Sequence, residues 1–280
     1  MKRNILSSFL AALAAFAIPT AGAAPLKDAR ITRIINDVKT AAEAKAPKRA
    51  SLNETIVPGN AVRTGIDSRT ELLFSDQTIT RLGANSNFTF TEGTREMTLS
   101  KGVIMLQVPK GLGGAKIETA AVTAAITGTT ILFEVGPKFI KLIVVEGKCY
   151  LTPKFGKWKR RKPVTAGQEV IIPIGALEIP KPFFINLDIL FKTSALLTGK
   201  WGAPLDDRQI KAAIVAQIRQ FFGNPNIQFT GTGKKPSFIS DIPPQRTLEI
   251  PTQPVTPPTP PPQIRQTPPA GGNPIGGTGP

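Results

Sequence analysis

The side chains that most often carry out catalysis are scarce in this sequence. Its 280 residues include no histidine and a single cysteine, Cys149. Catalytic triads built on imidazole, metal sites with His ligands and most proton shuttles are therefore excluded. A lone thiol without a neighbouring base is a poor nucleophile and cannot form an internal disulfide. Because Cys149 lies between Val145 and Leu151, we expect a small buried apolar side chain; an intermolecular disulfide is the alternative.

Carboxylates could still act in catalysis, because glycosidases use only Asp and Glu. The candidates lie in or beside predicted strands, or in one predicted hairpin: Glu118, Glu134 and Glu146, and Asp67, Glu71 and Asp76. Their spacing singles out no pair, so solvated strand or turn positions are predicted. The sequence thus predicts no catalytic residue, no metal and no cofactor, with a carboxylate enzyme of the cell envelope as the disfavoured alternative.

One stretch, the basic loop (residues 154–162), gathers cations around a tryptophan. Its candidate ligand-binding residues are Lys154, Lys157, Trp158, Lys159, Arg160, Arg161 and Lys162. An aromatic side chain among cations suits an anionic wall polymer or lipid head groups. The alternative is a solvated hairpin loop whose charges prevent edge-to-edge association. The whole chain carries a formal charge of +16, from 35 basic and 19 acidic residues, and is therefore attracted to anionic surfaces.

Residues 1–23 have the features of a secretory signal peptide. Lys2 and Arg3 precede an apolar run from Ile5 to Ile18, and Ala21-Gly22-Ala23 places small residues at the cleavage position. The run is shorter than the ~20 apolar residues of a spanning helix, which disfavours an uncleaved anchor. The mature chain is expected to be periplasmic or secreted, without a transmembrane span, and nucleic acid is not an expected partner.

The elements that would position these side chains are organised around residues 117–135, IETAAVTAAITGTTILFEV. Small and β-branched residues fit a pleated, half-buried surface, so we predict the central strand pair of an all-β domain. Gly128 is placed at the bend between the two strands. A buried helix formed by the alanines is the alternative, disfavoured by the five threonines.

Short extended segments separated by turns continue on both sides of this pair. Their spacing of roughly 8–12 residues predicts an all-β roll or sandwich of short antiparallel strands. Residues 96–99 are one predicted extended segment and residues 102–108 the next, which is apolar on both faces, as in a strand inside the core. In residues 29–39 the spacing of the apolar residues favours a helix over a strand by a narrow margin.

The character of the sequence changes near Ile179. Residues 186–197 and 206–222 have apolar residues at helical spacing. Asp206 and Gln209 have the spacing of a capping box, and Leu205 and Ile210 that of a hydrophobic staple. Beyond them the chain is rich in Pro, Thr and Gly and is predicted to be a disordered tail, acting as a tether or as a ligand for an aromatic groove.

Several of the extended segments together resemble the FecR domain, an exported domain first associated with iron-dicitrate signalling regulators. The matching segments are PGNAVRTGIDSRTELLFSDQTITRLGANSNFTF (58–90), LSKGVIMLQVP (99–109), IETAAVTAAITGTTILFEV (117–135), VVEGKCYLT (144–152) and VTAGQEVII (164–172). Their order and spacing also agree, and the resemblance covers about half of the chain. Residues 30–39 match the opening strand of the family, so we predict a strand there.

The resemblance implies an all-β fold and a noncatalytic role in protein interaction in the periplasm. The signalling members also carry a cytoplasmic anti-sigma segment, a membrane span and a domain that contacts an outer-membrane transporter. Here a cleavable signal replaces the first two, and Asp76-Gln77 stands where Asp-Gly is expected at one turn. Iron signalling is therefore not carried over.

The sequence divides into a signal peptide (1–23), a FecR-like β domain (24–178), two short helices (179–223) and a Pro/Gly-rich disordered tail (224–280). The predicted function is a noncatalytic exported interaction or scaffold module of the bacterial envelope that binds envelope proteins. The alternative is a cationic wall-polymer or carbohydrate-binding protein that uses the basic loop.

Overall fold

Two β-sheets and one layer of helices are formed by residues 24–42, 45–154 and 160–222, the part of the chain that the computed structural model describes. The predicted signal peptide, the predicted tail and residues 155–159 of the basic loop lie outside these ranges. The strands are β1 (Ala29–Ile35), β2 (Val38–Ala41), β3 (Lys48–Arg49), β4 (Thr55–Ile56), β5 (Ala61–Thr64), β6 (Arg69–Phe74), β7 (Ile79–Leu82), β8 (Asn87–Phe90), β9 (Glu96–Gln107), β10 (Gly114–Glu118), β11 (Val122–Thr127), β12 (Thr130–Val135), β13 (Phe139–Glu146), β14 (Lys148–Pro153), β15 (Lys162–Thr165), β16 (Gln168–Pro173) and β17 (Phe183–Phe184). The helices are α1 (Leu187–Thr193), α2 (Ala195–Thr198) and α3 (Asp207–Phe222).

The strands pair into two sheets that share β9. Sheet A has the order β4-β1-β6-β7-β9-β12-β13-β16-β17. Sheet B has the order β3-β2-β5-β8-β9-β10-β11-β14-β15. All of these pairings are antiparallel except β9 with β10, which is parallel. The predicted all-β fold of short antiparallel strands followed by a helical segment is thus confirmed.

Strand β9 passes from sheet B to sheet A because its chain bends at Gly102. This residue has φ +93°, and a Cβ there would overlap the Cα of Ser86. The Ser86 hydroxyl accepts from the Val103 amide at 3.0 Å and donates to the Gly83 carbonyl at 2.9 Å. The sequence predicted separate segments at 96–99 and 102–108, whereas the structure joins them into one strand of 12 residues.

The inner core lies between the two sheets and takes alternate residues from both. Phe74 of sheet A meets Phe90 of sheet B edge-on, with ring centroids 5.0 Å apart. Cys149 is fully buried there, and burial raises the pKa of its thiol to about 12. The prediction of a small buried apolar side chain is confirmed.

The organising stretch folds as three strands, β10, β11 and β12, rather than as a pair. The additional turn is closed by Thr119, whose hydroxyl donates to the Val122 carbonyl at 2.9 Å. Gly128, with φ +56°, carries the chain from β11 in sheet B to β12 in sheet A. The buried-helix alternative is wrong. The strand assigned to residues 30–39 is confirmed as β1 and β2, which are separated at Asn36 (φ 60°).

The helices cover the outer face of sheet A and enclose an outer core. Its sheet residues include Met105, Leu132 and Val145, and its helical residues include Leu187 and Ile210. Two helices were predicted and three are present in the described ranges, because Ser194 has an extended backbone that separates α1 from α2. No helix in the described ranges is long and apolar enough to cross a membrane.

The predicted capping box at the start of α3 is not formed. Asp206 does cap the helix, since its Oδ1 accepts from the Arg208 amide at 3.3 Å. Its own amide, however, donates to Gln107 Oε1 at the end of β9 at 3.0 Å. Gln209 instead accepts from Lys110 Nζ at 2.8 Å. Tertiary contacts with sheet A have replaced the local reciprocal bond.

Candidate functional site

The most deeply buried charges form an ion pair between β6 and β7. Glu71 lies directly opposite Arg81 in the strand register, and both are essentially inaccessible to solvent. Arg81 Nε donates to Glu71 Oε2 at 2.8 Å. The prediction that Glu71 is solvated is therefore wrong, because the helical layer covers the face of sheet A from which its side chain projects.

Backbone groups of the helical segment supply most of the other hydrogen bonds of this pair. Arg81 Nη1 donates to the Leu196 carbonyl at 2.8 Å and Nη2 to the Ala203 carbonyl at 3.1 Å. The Ala203 amide in turn donates to Glu71 Oε1 at 2.6 Å. The Trp201 ring lies 4.9 Å from the Arg81 guanidinium carbon. Burial lowers the pKa of Arg81, and its bond to Glu71 opposes that shift.

Buried charges of this kind need complete hydrogen bonding, and here the partners come from a segment more than 100 residues away. The pair therefore attaches the helical layer to sheet A. A sequence signal for it exists: the predicted turn at Ser75-Asp76-Gln77 is centred on Asp76, which places Glu71 opposite Arg81 in any regular hairpin.

The other predicted carboxylates are not brought together in the structure. Four of them pair instead with cations: Asp76 with Arg95 at 2.7 Å, Glu118 with Lys154 at 2.9 Å, Glu134 with Lys141 at 2.6 Å and Glu146 with Lys110 at 3.2 Å. Asp67 lies exposed in a turn with φ 52°. Within the described ranges, no group of three or more acidic or thiol side chains is arranged to hold a metal.

Three of the four described members of the basic loop make contacts within the fold. Lys154 pairs with Glu118, and Lys162 Nζ donates to the Ile179 carbonyl at 2.8 Å. The Arg161 guanidinium lies 4.7 Å from the centroid of the Tyr150 ring. Arg160 is exposed. Lys157, Trp158 and Lys159 are outside the described ranges, so the ligand-binding role of the loop stays a prediction.

Sequence reasoning missed a second cationic feature on the outer face of sheet B. Alternation places Val38, Thr40 and Val62 towards the inner core and their neighbours Lys39 and Arg63 towards solvent. Through the strand register these two cations align with further polar residues from three other strands. No run of basic residues marks this feature in the sequence, because its members come from separate segments; only the pairing of distant strands reveals it.

Comparison with known proteins locates a family match within the sandwich. The FecR protein family profile matches residues 60–149, from the start of β5 into β14. Two crystal structures of a proposed anti-sigma factor from Parabacteroides distasonis are similar in structure, with TM-scores of 0.42 and 0.41 and sequence identities of 14% and 12%. They cover 60% and 62% of this chain and 80% and 82% of their own. No curated protein matches the sequence.

Proposed function

We propose that the protein is a noncatalytic, exported interaction or scaffold module of the bacterial cell envelope, on the premise that the FecR protein family profile matches residues 60–149. The family match is the observation that carries the proposal. It covers most strands of the sandwich, so the matched region supplies surfaces of both sheets.

The surfaces left for a protein partner follow from the packing. The helical layer covers the outer face of sheet A, whereas the outer face of sheet B and the turns between strands are exposed. Two of those turns present large apolar side chains: Ile66, between β5 and β6, and Leu177, after β16, are each 77% exposed. Exposed apolar side chains at turns are suitable contact points for a partner.

We propose that the partner docks on the β domain and not on the helical layer. Photocrosslinking in intact cells tests this with a crosslinking amino acid at Ile66 or Leu177 of the full chain. A matched control is Ile189, which is 49% exposed on α1. A discrete protein adduct at Ile66 or Leu177 that is absent at Ile189 is the expected result. No adduct at any position, or the same adducts at all three, would contradict the proposal.

Export and domain organisation belong to the same proposal. We propose that residues 1–23 are removed on export, that residues 24–178 and 179–223 form the β domain and its helices, and that residues 224–280 act as a tether. Amino-terminal sequencing of the protein recovered from the periplasm or medium tests the first part. The expected new terminus is Ala24, and a product that retains Met1 in the cytosol would contradict export.

A second candidate function is binding of an anionic wall polymer through the basic loop. The observation in its favour is Tyr150 at the base of the loop, with Arg161 at 4.7 Å and Lys148 at 6.0 Å from its ring. Charge reversal of Lys159, Arg160 and Arg161 should release the protein from envelope fractions at lower salt. Unchanged retention across the salt series would remove this candidate.

A further inference from the structure

Four cations and one amide form a straight row across the outer face of sheet B, here called the cross-strand row. In order across β3, β2, β5, β8 and β9 they are Arg49, Lys39, Arg63, Asn87 and Lys101. Each residue is paired with the next in the antiparallel register, with a bulge at Ser100 beside Lys101. The four cations are exposed and Asn87 is half-buried. With strands about 4.8 Å apart, the row is roughly 19 Å long.

The arrangement is unfavourable for the isolated protein. Like charges directly opposite each other destabilise a sheet, and Lys39 has a cation opposite it on both sides. Among the described residues the one carboxylate in an ion pair with the row is Asp37, 3.6 Å from Lys39 Nζ. Farther along the same sheet, cations are neutralised: Lys116 pairs with Glu96 at 2.8 Å and Lys154 with Glu118 at 2.9 Å.

The row contains one uncharged member, Asn87, between Arg63 and Lys101. Asn87 Nδ2 donates to the Ser100 hydroxyl at 2.8 Å. Its Oδ1 is buried and accepts from no donor among the described residues. Lys39, Arg63, Asn87 and Lys101 line a single shallow hollow. An anion placed there would meet the charges of Lys39, Arg63 and Lys101.

We propose that the cross-strand row binds a linear polyuronate, that is, an acidic polysaccharide with one carboxylate on each sugar. In an extended two-fold polyuronate, alternate sugars turn the same edge towards the sheet. Their carboxylates then repeat at about 9.6 Å, the separation of alternate strands, and can meet Arg49, Arg63 and Lys101. No member of the row is aromatic, which disfavours single-stranded nucleic acid, because its binding sites stack bases on aromatic rings.

Fluorescence anisotropy with a labelled oligogalacturonate tests the proposal on the full mature chain. The row variant is Lys39→Gln, Arg63→Gln and Lys101→Gln. The control variant removes the same charge from exposed lysines of the helical segment: Lys192→Gln, Lys200→Gln and Lys211→Gln. We expect the row variant to bind about tenfold more weakly or worse, since three exposed charge contacts are lost. The control variant should bind within about twofold of the wild type, because it keeps the row intact.

Two further probes separate carboxylate recognition from other binding. The fully methyl-esterified oligogalacturonate keeps the sugars but has no charge, and should not bind. An oligo(dT) of equal charge should bind more weakly than the acidic sugar. Failure of the oligogalacturonate to bind, equal losses in the two variants, or tighter binding of oligo(dT) would each overturn the proposal. None of these outcomes bears on the crosslinks at Ile66 or Leu177, which test protein docking separately.

Discussion

Glu71 and Arg81 occupy a space in which neither charge reaches water, so each depends on the other. Arg81→Met would leave the Glu71 carboxylate buried without its cation, and should lower the free energy of unfolding by about 3–5 kcal/mol. The double variant Glu71→Leu, Arg81→Met removes both charges and should be much less destabilised than the sum of the two single variants. Urea unfolding of all four proteins measures this coupling. Additive effects would show that the two charges do not depend on each other.

A second prediction at the residue scale concerns pH. Burial raises the pKa of Glu169 on β16 above its ordinary value of 4.5, with Lys141 opposing the shift and Glu134 adding to it. A raised folded-state pKa means that the ionised form is the less stable one in the fold. The contribution of Glu169 is therefore most favourable below pH 4.5 and is lost as the pH rises through the raised value.

Glu169→Gln should consequently stabilise the protein at neutral pH but have little effect at acidic pH, where the glutamate is protonated in the folded and the unfolded state. Urea unfolding of wild type and variant over a range of pH measures the difference. Glu118→Gln is a suitable control, since that residue is exposed in an ion pair on sheet B. A stability difference between wild type and Glu169→Gln that is constant with pH would contradict the assignment to ionisation.

Individual residues were predictable from the sequence where neighbours along the chain decide their environment. Cys149, flanked by apolar strand residues, was placed correctly in the core. Gln77 takes the left-handed position (φ 68°) at the turn where glycine is the family residue, so the turn itself was recognisable despite the substitution. Glu71 was misplaced, because its burial depends on Ala203 and Leu196, which no local pattern connects to it.

At the scale of elements, the bend in β9 decides how the sheets are joined. Gly102→Ala would place a methyl group against the backbone of Ser86 and would also strain a φ of +93°. Both effects together should cost about 3 kcal/mol or more in the free energy of unfolding. Gly59→Ala is a matched control, because Gly59 has φ +82° but nothing within 4 Å of the added methyl.

The control separates dihedral strain from steric overlap. Gly59→Ala should cost about 1–2 kcal/mol, from the backbone conformation alone. Thermal or urea unfolding of the two variants measures the difference between their free energies of unfolding. If the two substitutions cost the same, close packing at Ser86 would not be what fixes the bend. The sequence predicted extended segments on either side of Gly102. It could not predict one continuous strand, because the partners of β9 come from distant parts of the chain.

For the whole molecule, the sequence indicated the sandwich through regular strand and turn spacing, and the helices through their apolar periodicity. The cross-strand row and the contact between the helices and sheet A were not predictable, since both depend on which distant strands lie side by side. The contact between the helices and sheet A matters because of the residues that form the outer core. Met105, Leu132, Ile143 and Val145 project from sheet A into the helical layer, so this face is apolar without the helices.

A boundary at residue 178 would therefore separate sheet A from its cover. The fragment 24–178 is expected to expose the outer-core face and to leave Glu71 and Arg81 without their partners at Leu196 and Ala203. It should bind an apolar dye and associate at micromolar concentration. The fragment 24–222 keeps α1 to α3 and should remain monomeric. Size-exclusion chromatography with light scattering compares the two. A monomeric 24–178 fragment with the melting temperature of 24–222 would show that the helices are an accessory to the β domain, because its stability would not depend on them.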